Sequence, residues 1–178
     1  MTRSPFRRLG RHPGTHQPRS GGDRLHDVDE PRWIKVSRRI DAPAERIFAL
    51  LADPARHEVI DGSGTVRSAD SPQLLTAEGQ RFRMHMHRED RGGAYATDNI
   101  VTTFLPDRAL GWATTYPDQE PLGYTHTYLL DPDGDDRTVV TQIYDWSGVT
   151  DPDLLHLFPR ISADELATTL TRLADALC

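Results

Sequence analysis

The stretch RHEVIDGSG comes close to a metal-binding motif. His57, Glu58 and Asp61 are spaced almost as in H-E-x-x-H, the helical pattern in which two histidines bind zinc and the glutamate acts as a base. Asp61 stands where the second histidine should be. Gly62 and Gly64 follow at once, and two glycines so close together do not continue a helix. We therefore expect a short helix with an exit turn here, and no metal.

Two further patterns could hold a metal or a nucleophile. His85 and His87 are two residues apart in a strand-like segment, so they share a face and could chelate. Arg81 and Arg83 lie on that same face and would repel a cation, so we predict no metal there and no cofactor. The sequence has no glycine-rich phosphate loop and no G-x-S-x-G elbow. Cys178, the only cysteine, is a poor nucleophile candidate at the last position.

A third group of polar side chains is more promising. In GYTHTYLL and VVTQIYDW, the alternation places His126, Gln142 and Tyr144 on the face that also carries the apolar bulk. Buried polar groups need hydrogen-bond partners. These three residues either satisfy one another and water, or are completed by a ligand, or are assigned to the wrong face. His126 and Tyr144 are the candidate acid/base residues, because histidine titrates near neutral pH.

The elements that must position these groups follow from the periodicity. WIKVSRRI alternates as a strand, DAPAERIFALLAD predicts a helix, and ADPARHEVI predicts a second short helix. About six alternating segments follow, separated by PDR, PDQEP and DPDGDD. ISADEL begins a long helix with a capping box between Ser162 and Glu165, followed by a leucine stripe. Strands on one side and helices on the other predict an α+β domain with an antiparallel sheet.

The pleat also predicts which residues face the helix. In QRFRMHMHRED the inward residues are Phe82, Met84 and Met86. ATDNIVTTF carries apolar residues on both parities, so we expect a bulge and leave its face open. Asp98 and Asp145 would be candidate acids only if a bulge turned them inward. The inward residues predicted on the following strands include Trp112, Tyr116, Tyr124 and Tyr128.

Composition limits the class of protein. The 178 residues suffice for one domain, with 37% apolar residues and a mean hydropathy of -0.59. No apolar run approaches the roughly 18 residues of a membrane span. Residues 1–22 carry five arginines and no acid, and the remainder carries a net charge of -11, which argues against a nucleic-acid surface. We expect residues 1–30 to be a disordered basic tail. The single cysteine fits a cytoplasmic protein.

The stretch IDAPAERIFALLADPARHEVIDGSG resembles the opening of the START-like (SRPBCC, Bet v 1-type) superfamily, in particular its polyketide cyclase/dehydratase-like branch. FLPDRALGW is similar to the Pro-x-x-x-Leu-x-Trp turn of that branch, and YLLDPDGDDRTVVTQIYDW to its hairpin. The resemblance covers residues 33–177, so residues 31–178 are expected to form a single START-like ligand-binding domain. It implies a helix-grip fold, in which a curved seven-stranded antiparallel sheet surrounds a long C-terminal helix. It also implies two short helices after the first strand and a hydrophobic cavity.

The resemblance implies no single chemistry, because members bind lipids, sterols or polyketides, and some catalyse ring closure or dehydration. The first hypothesis is binding of a small hydrophobic, aromatic or polyketide/lipid-like molecule. The alternatives are a polyketide aromatase, cyclase or dehydratase using His126 and Tyr144, and a protein-interaction or chaperone-assisting module. The oligomeric state, monomer or homodimer, stays open. The predicted ligand-binding residues are Met84, Met86, Trp112, Tyr116, Tyr124, His126, Tyr128, Gln142 and Tyr144, with Val59 and Ile60 at the cavity mouth beside a polar rim of His57, Glu58 and Asp61.

Overall fold

A computed structural model describes residues 30–178, apart from the Arg91 side chain. The disordered tail predicted over residues 1–30 lies, except for Glu30, outside the described residues. Residues 31–178 form one structural unit. The strands are β1 (Trp33–Ile40), β2 (Val66–Ala69), β3 (Arg81–Arg88), β4 (Gly93–Leu105), β5 (Ala109–Thr115), β6 (Thr125–Pro132) and β7 (Thr138–Asp145), and the helices are α1 (Ala44–Leu51), α2 (His57–Ile60), α3 (Pro152–Leu155) and α4 (Ala163–Asp175).

The strands form one curved antiparallel sheet of seven in the order β1-β7-β6-β5-β4-β3-β2. All neighbours except β1 and β7 are consecutive in the chain, so β2 to β7 form a meander and β1 pairs with its β7 edge, which leaves β1 and β2 as the edge strands. Two short helices, α1 and α2, follow β1, and α4 packs against β1 and β7. The predicted α+β helix-grip architecture is confirmed.

The long C-terminal helix begins as its sequence predicts. Ser162 is the N-cap: its hydroxyl accepts from the Glu165 backbone N–H at 3.2 Å, while the Glu165 carboxylate accepts from the Ser162 backbone N–H at 2.7 Å. One face of α4 buries Leu166, Leu170 and Leu173, each at most 1% exposed. This leucine stripe supplies the helix side of the core.

The turn after α2 is fixed to α4. The Asp61 carboxylate accepts backbone N–H groups of Ser63, Thr65 and Val66, which closes the turn. Gly62 donates its N–H to the Thr169 hydroxyl at 2.9 Å, and a Cβ at Gly62 would overlap the α4 backbone. Gly64 has a φ of +68°, which favours glycine. The two glycines of DGSG therefore serve different needs, close approach and turn geometry.

The face that the sequence left open in β4 is defined by the register. Asp98 lies opposite Arg83 of β3 and points to the outer face of the sheet, where it is fully buried by Arg81 and Arg83. The Arg83 guanidinium, 2.6 Å away, holds the pKa of Asp98 down to about 2. The expected bulge occurs further along β4, between Val101 and Thr103. It does not turn Asp98 inward, so Asp98 is an ion-pair residue of the outer face.

Candidate functional site

The concave side of the sheet, α4 and the exit turn of α2 enclose a cavity of about 710 Å³. This volume falls within the range of small-molecule binding sites in proteins. Strands β3 to β7 supply most of its wall, and the segment between α3 and α4 contributes Leu157, Pro159, Arg160 and Ile161. Among its lining residues, Tyr116, Leu157 and Pro159 are also exposed, which marks the open side.

Three rings form a row across the cavity wall. Trp112 on β5, His126 on β6 and Tyr144 on β7 are direct partners in the strand register. The His126 and Tyr144 rings are stacked, with centroids 4.8 Å apart and planes 18° apart, and Trp112 lies 6.2 Å from His126. Because residues opposite each other on paired antiparallel strands share one face of the sheet, the row follows from alternation and register alone. We call these three residues the aromatic row.

The row is extended at both ends by rings from outside the sheet. His57 of α2 stacks on Trp112, with centroids 5.2 Å apart and planes 20° apart. Phe158 lies 6.3 Å from Tyr144 at the other end. Phe82 and Tyr128 pack against Trp112 at 5.6 Å and 5.7 Å. The wall therefore offers ring faces and edges over most of its length, which suits a flat apolar ligand.

His126 is a neutral imidazole turned toward the cavity. Burial lowers its pKa to about 4, and the charge of Asp61 opposes this only in part. Within the described residues, its ring nitrogens make no hydrogen bond to the protein. A neutral imidazole carries one N–H donor and one acceptor. His126 can therefore both donate to and accept from a molecule in the cavity.

Gln142 and Tyr128 form a polar pair in the same wall. The Gln142 side-chain amide donates to the Tyr128 hydroxyl at 2.8 Å, and burial raises the pKa of Tyr128. The other end of the amide, Oε1, is buried without a hydrogen-bond partner among the described residues. Gln142 thus pairs with Tyr128 rather than with His126 or Tyr144. The Tyr144 residue is 0% exposed and stacks on His126.

All but one of the residues predicted to bind a ligand line the cavity. Val59 is the exception: it is 53% exposed and lies outside the lining. On the single turn of α2, His57 and Ile60 share a face because they are three residues apart, and that face is turned inward. The residues in the lining are Ile60, Met84, Met86, Trp112, Tyr116, Tyr124, His126, Tyr128, Gln142 and Tyr144.

His57 differs from its predicted place on a polar rim. It is 7% exposed, and its Nε2 donates to the Leu51 carbonyl at 2.8 Å. Burial lowers its pKa, and the bond to Leu51 opposes this. Since Asp61 uses its carboxylate to close the exit turn, His57 and Asp61 do not converge on a common point. Within residues 30–178, no cluster of three or more histidine, cysteine or acidic side chains could hold a metal.

Several lining residues were not identified from the sequence. Thr97 and Asn99 of β4 face the cavity, and Asn99 accepts a hydrogen bond from Thr114 at 2.8 Å. Arg88 and Arg160 bring positive charge to the lining, with Arg160 in the segment before α4. The alternation of β4 favours neither face, and residues 157–161 have no periodicity, so only the three-dimensional structure places them.

A cavity held between a curved antiparallel sheet and a C-terminal helix defines a helix-grip fold. None of the helices in the part of the chain that is described is long and apolar enough to cross a membrane. The chain belongs to the family described as polyketide cyclase / dehydrase and lipid transport, whose sequence model matches residues 33–177.

The similarity to known proteins covers most of the chain. Uncharacterized protein Rv0088 of Mycobacterium tuberculosis is 30% identical over 92% of this chain and 73% of its own length. The crystal structure of Ms6760 from Mycobacterium smegmatis superposes with a TM-score of 0.62 at 19% identity, covering 85% of this chain and 94% of that one. A solution structure of a protein from Arthrobacter aurescens gives 0.63 at 18% identity, covering 83% and 87%. The two structures support the fold.

Proposed function

We propose that this protein binds a small hydrophobic molecule with a flat aromatic or polyketide-like framework in the cavity between sheet and helix. The observation that carries the proposal is the aromatic row, Trp112, His126 and Tyr144, set in register across three neighbouring strands. A flat ligand can lie against successive rings and gain contact area and ring stacking together. A flexible acyl chain would fit the volume but would not use the ring faces.

Polar groups in the wall support recognition as well as burial. His126 can orient a ligand through hydrogen bonds, and Asn99 and several threonines add polar groups to a wall that is otherwise aromatic and aliphatic. Binding sites for small molecules commonly combine an apolar lining with a few such polar groups. Met84 and Met86 can adapt to an irregular outline because their side chains are flexible.

Native mass spectrometry of freshly purified protein tests this proposal. We expect a bound small molecule that is released on denaturation, and its loss when Trp112 is changed to Leu. Titration with naphthamide, monitored by tryptophan fluorescence, provides a second test with a defined probe. The proposal fails if the purified protein carries no small molecule and if folded protein also does not bind added naphthamide.

A second candidate function is aromatase, cyclase or dehydratase activity on such a ligand. The observation that favours it is the unpartnered His126 ring, which faces the cavity and is neutral at physiological pH. As a general base, His126 would take a proton from the carbon beside a carbonyl while a hydroxyl on the next carbon leaves, forming a conjugated double bond. That hydroxyl leaves as water with a proton taken from solvent. Tyr144, whose ring stacks on His126, stays the second candidate proton-transfer residue.

An aromatic β-hydroxy ketone is a suitable probe for this candidate, since loss of water gives an enone with strong ultraviolet absorbance. We expect His126→Asn to abolish enone formation at probe concentrations where binding of naphthamide to this variant, although weakened by the loss of the ring, is still measured. If turnover persists in His126→Asn, His126 is not the base, and if no turnover occurs in the wild type, binding stands as the function without catalysis. The interaction-module hypothesis stays a prediction, because no observation on the described residues favours it over cavity binding.

A further inference from the structure

Arg160 brings an uncompensated positive charge to the open side of the cavity. Its side chain is half-buried in the lining, beside the exposed residues Leu157 and Pro159. Among the described residues, no carboxylate lies within ion-pair distance of the guanidinium, and Nε is buried without a hydrogen-bond partner. A charge in such a place is costly unless something pairs with it.

The two acids that line the cavity are already engaged. The Asp61 carboxylate accepts hydrogen bonds from the exit turn of α2. Asp90 accepts from the Arg88 guanidinium at 2.8 Å. Neither is therefore the partner of Arg160, and the remainder of the lining is uncharged apart from Arg88.

The Arg160 backbone and guanidinium are both held in place. Arg88 donates from Nη1 to the Arg160 carbonyl at 3.1 Å, which fixes the backbone independently of the Arg160 side chain. The guanidinium carbon lies 4.9 Å from the centre of the Phe158 ring and 5.7 Å from that of Tyr124. These cation–π contacts stabilise the guanidinium without using its N–H groups as hydrogen-bond donors, so the N–H groups are left for other partners.

We infer that the ligand carries an anionic oxygen group, a carboxylate in the simplest case, which pairs with Arg160 while its aromatic body lies on the aromatic row. This inference rests on the proposed function and adds the charge of the ligand to it. The guanidinium edge matches the two oxygens of a carboxylate, and pairing removes the cost of the unpartnered charge. The Phe158 ring, which ends the row, also supports Arg160, so the two binding features are adjacent.

Naphthoate and naphthamide provide a matched pair of probes, since they share one ring system and differ mainly in charge. By isothermal titration calorimetry at low ionic strength, we expect the wild type to bind naphthoate at least about tenfold more tightly than naphthamide. In Arg160→Gln the preference should fall below about twofold, because the affinity for naphthoate falls much further than that for naphthamide. Arg137→Gln removes the same charge from the β6–β7 turn, at the other end of these strands, and should leave the preference intact.

Arg160→Lys keeps the positive charge and provides a second test that does not depend on the folding of the glutamine variant. It should retain a preference for naphthoate of at least about threefold. Three results would each overturn this inference and leave the proposed function intact. They are equal binding of the two probes by the wild type, an undiminished preference in Arg160→Gln, and complete loss of the preference in a folded Arg160→Lys. Binding of neither probe by the wild type would overturn the proposed function and this inference with it.

Discussion

The imidazole of His126 lies face to face with the phenol ring of Tyr144, with ring centroids 4.8 Å apart. One side of the imidazole is thus covered by a ring that is itself fully buried, and Trp112 flanks the other side with its ring centroid 6.2 Å away. Stacking fixes the plane of His126, so the direction of its N–H donor and its acceptor is fixed as well. The wall therefore presents a polar group of defined orientation to whatever occupies the cavity.

The buried histidine should make stability depend on pH. The pKa of His126 is about 4 in the folded protein and 6.5 when exposed, so the unfolded chain binds more protons between these values. Stability is then fully present above about pH 6.5 and falls as the pH drops toward 4, by up to about 1.4 kcal/mol per pH unit. His57, whose pKa burial also lowers, acts in the same direction.

Urea unfolding of the wild type and of His126→Phe at several pH values between 7.5 and 4.5 checks this prediction. Phenylalanine keeps a flat ring against Tyr144 but cannot take up a proton. We expect the variant to lose markedly less stability than the wild type over this range. Identical slopes in the two proteins would show that His126 is not held neutral by the fold.

Trp112 should be needed for binding through its ring rather than through general stability. Changing Trp112 to Leu removes the centre of the extended wall, where it contacts His57, Phe82, His126 and Tyr128. We expect naphthamide affinity to fall by about tenfold or more, measured by calorimetry on protein shown to be folded by circular dichroism.

The matched control for this change is Trp33→Leu. Trp33 belongs to β1, is 49% exposed and lies outside the cavity lining. Its substitution should alter naphthamide affinity by less than about twofold. Equal losses in the two variants would mean that binding does not occur at the aromatic row.

Asp98 should be essential for the outer face of the sheet. Its carboxylate accepts from Arg83 at 2.6 Å and 3.1 Å, from Arg81 at 3.0 Å and from the Asp118 backbone N–H at 2.9 Å. Asp98→Asn removes the negative charge that pairs with Arg81 and Arg83. We expect a loss of about 1–3 kcal/mol in the free energy of unfolding, limited because both arginines are partly exposed.

Asp70→Asn is the control for this substitution. Asp70 is 58% exposed and pairs with His85 across 3.1 Å, so loss of its charge should cost less than about 0.5 kcal/mol in the free energy of unfolding.

The lowered pKa of Asp98 also predicts a pH dependence. The contribution of Asp98 to stability is present above about pH 3.8 and is lost as the pH falls toward 2. A tolerated Asp98→Asn would contradict the assignment of Asp98 as the centre of this cluster.

Gly62 should not accept any side chain. A Cβ there would overlap the Glu165 carbonyl oxygen and the Thr169 backbone nitrogen, both on the rigid helix α4. We expect Gly62→Ala to cost more than about 3 kcal/mol in thermal or urea unfolding. Gly64→Ala in the same turn has open space around it and should cost only about 1 kcal/mol through its positive φ. Equal costs would show that close approach to α4 is not the reason for glycine at position 62.

The sequence predicts the cavity wall wherever the alternation is regular. In β5, β6 and β7 the aromatic rings fall on one parity, and this parity together with the strand register places Trp112, His126 and Tyr144 side by side. In β4 apolar residues fall on both parities. One face of this strand lines the cavity, and the outer face buries Asp98 under arginines. Polarity is then no guide to direction, which is why Asn99 was missed.

Short and irregular segments limit the prediction in a different way. The single turn of α2 has no stripe of its own, and its rotation depends on where α1 and the exit turn leave it, so His57 was expected on the rim and lies in the wall. Arg160 lies in an irregular connection, where it contacts the neighbouring Phe158 ring. The other contacts come from Arg88 and Tyr124, which are distant in the sequence. Neither position follows from local pattern.

The pairing of β1 with β7 has a consequence for how this chain is made. The partner of Ile40 is Thr138, so the first strand to leave the ribosome stays without its hydrogen-bonded neighbour until the last strand has been synthesised. Contacts between such distant segments slow folding, because a long loop must close before they form. During that interval β1 is an unpaired strand edge, open to pairing with other chains. A nascent chain stalled before β7 should therefore be a target for chaperones, whereas one stalled after α4 should not.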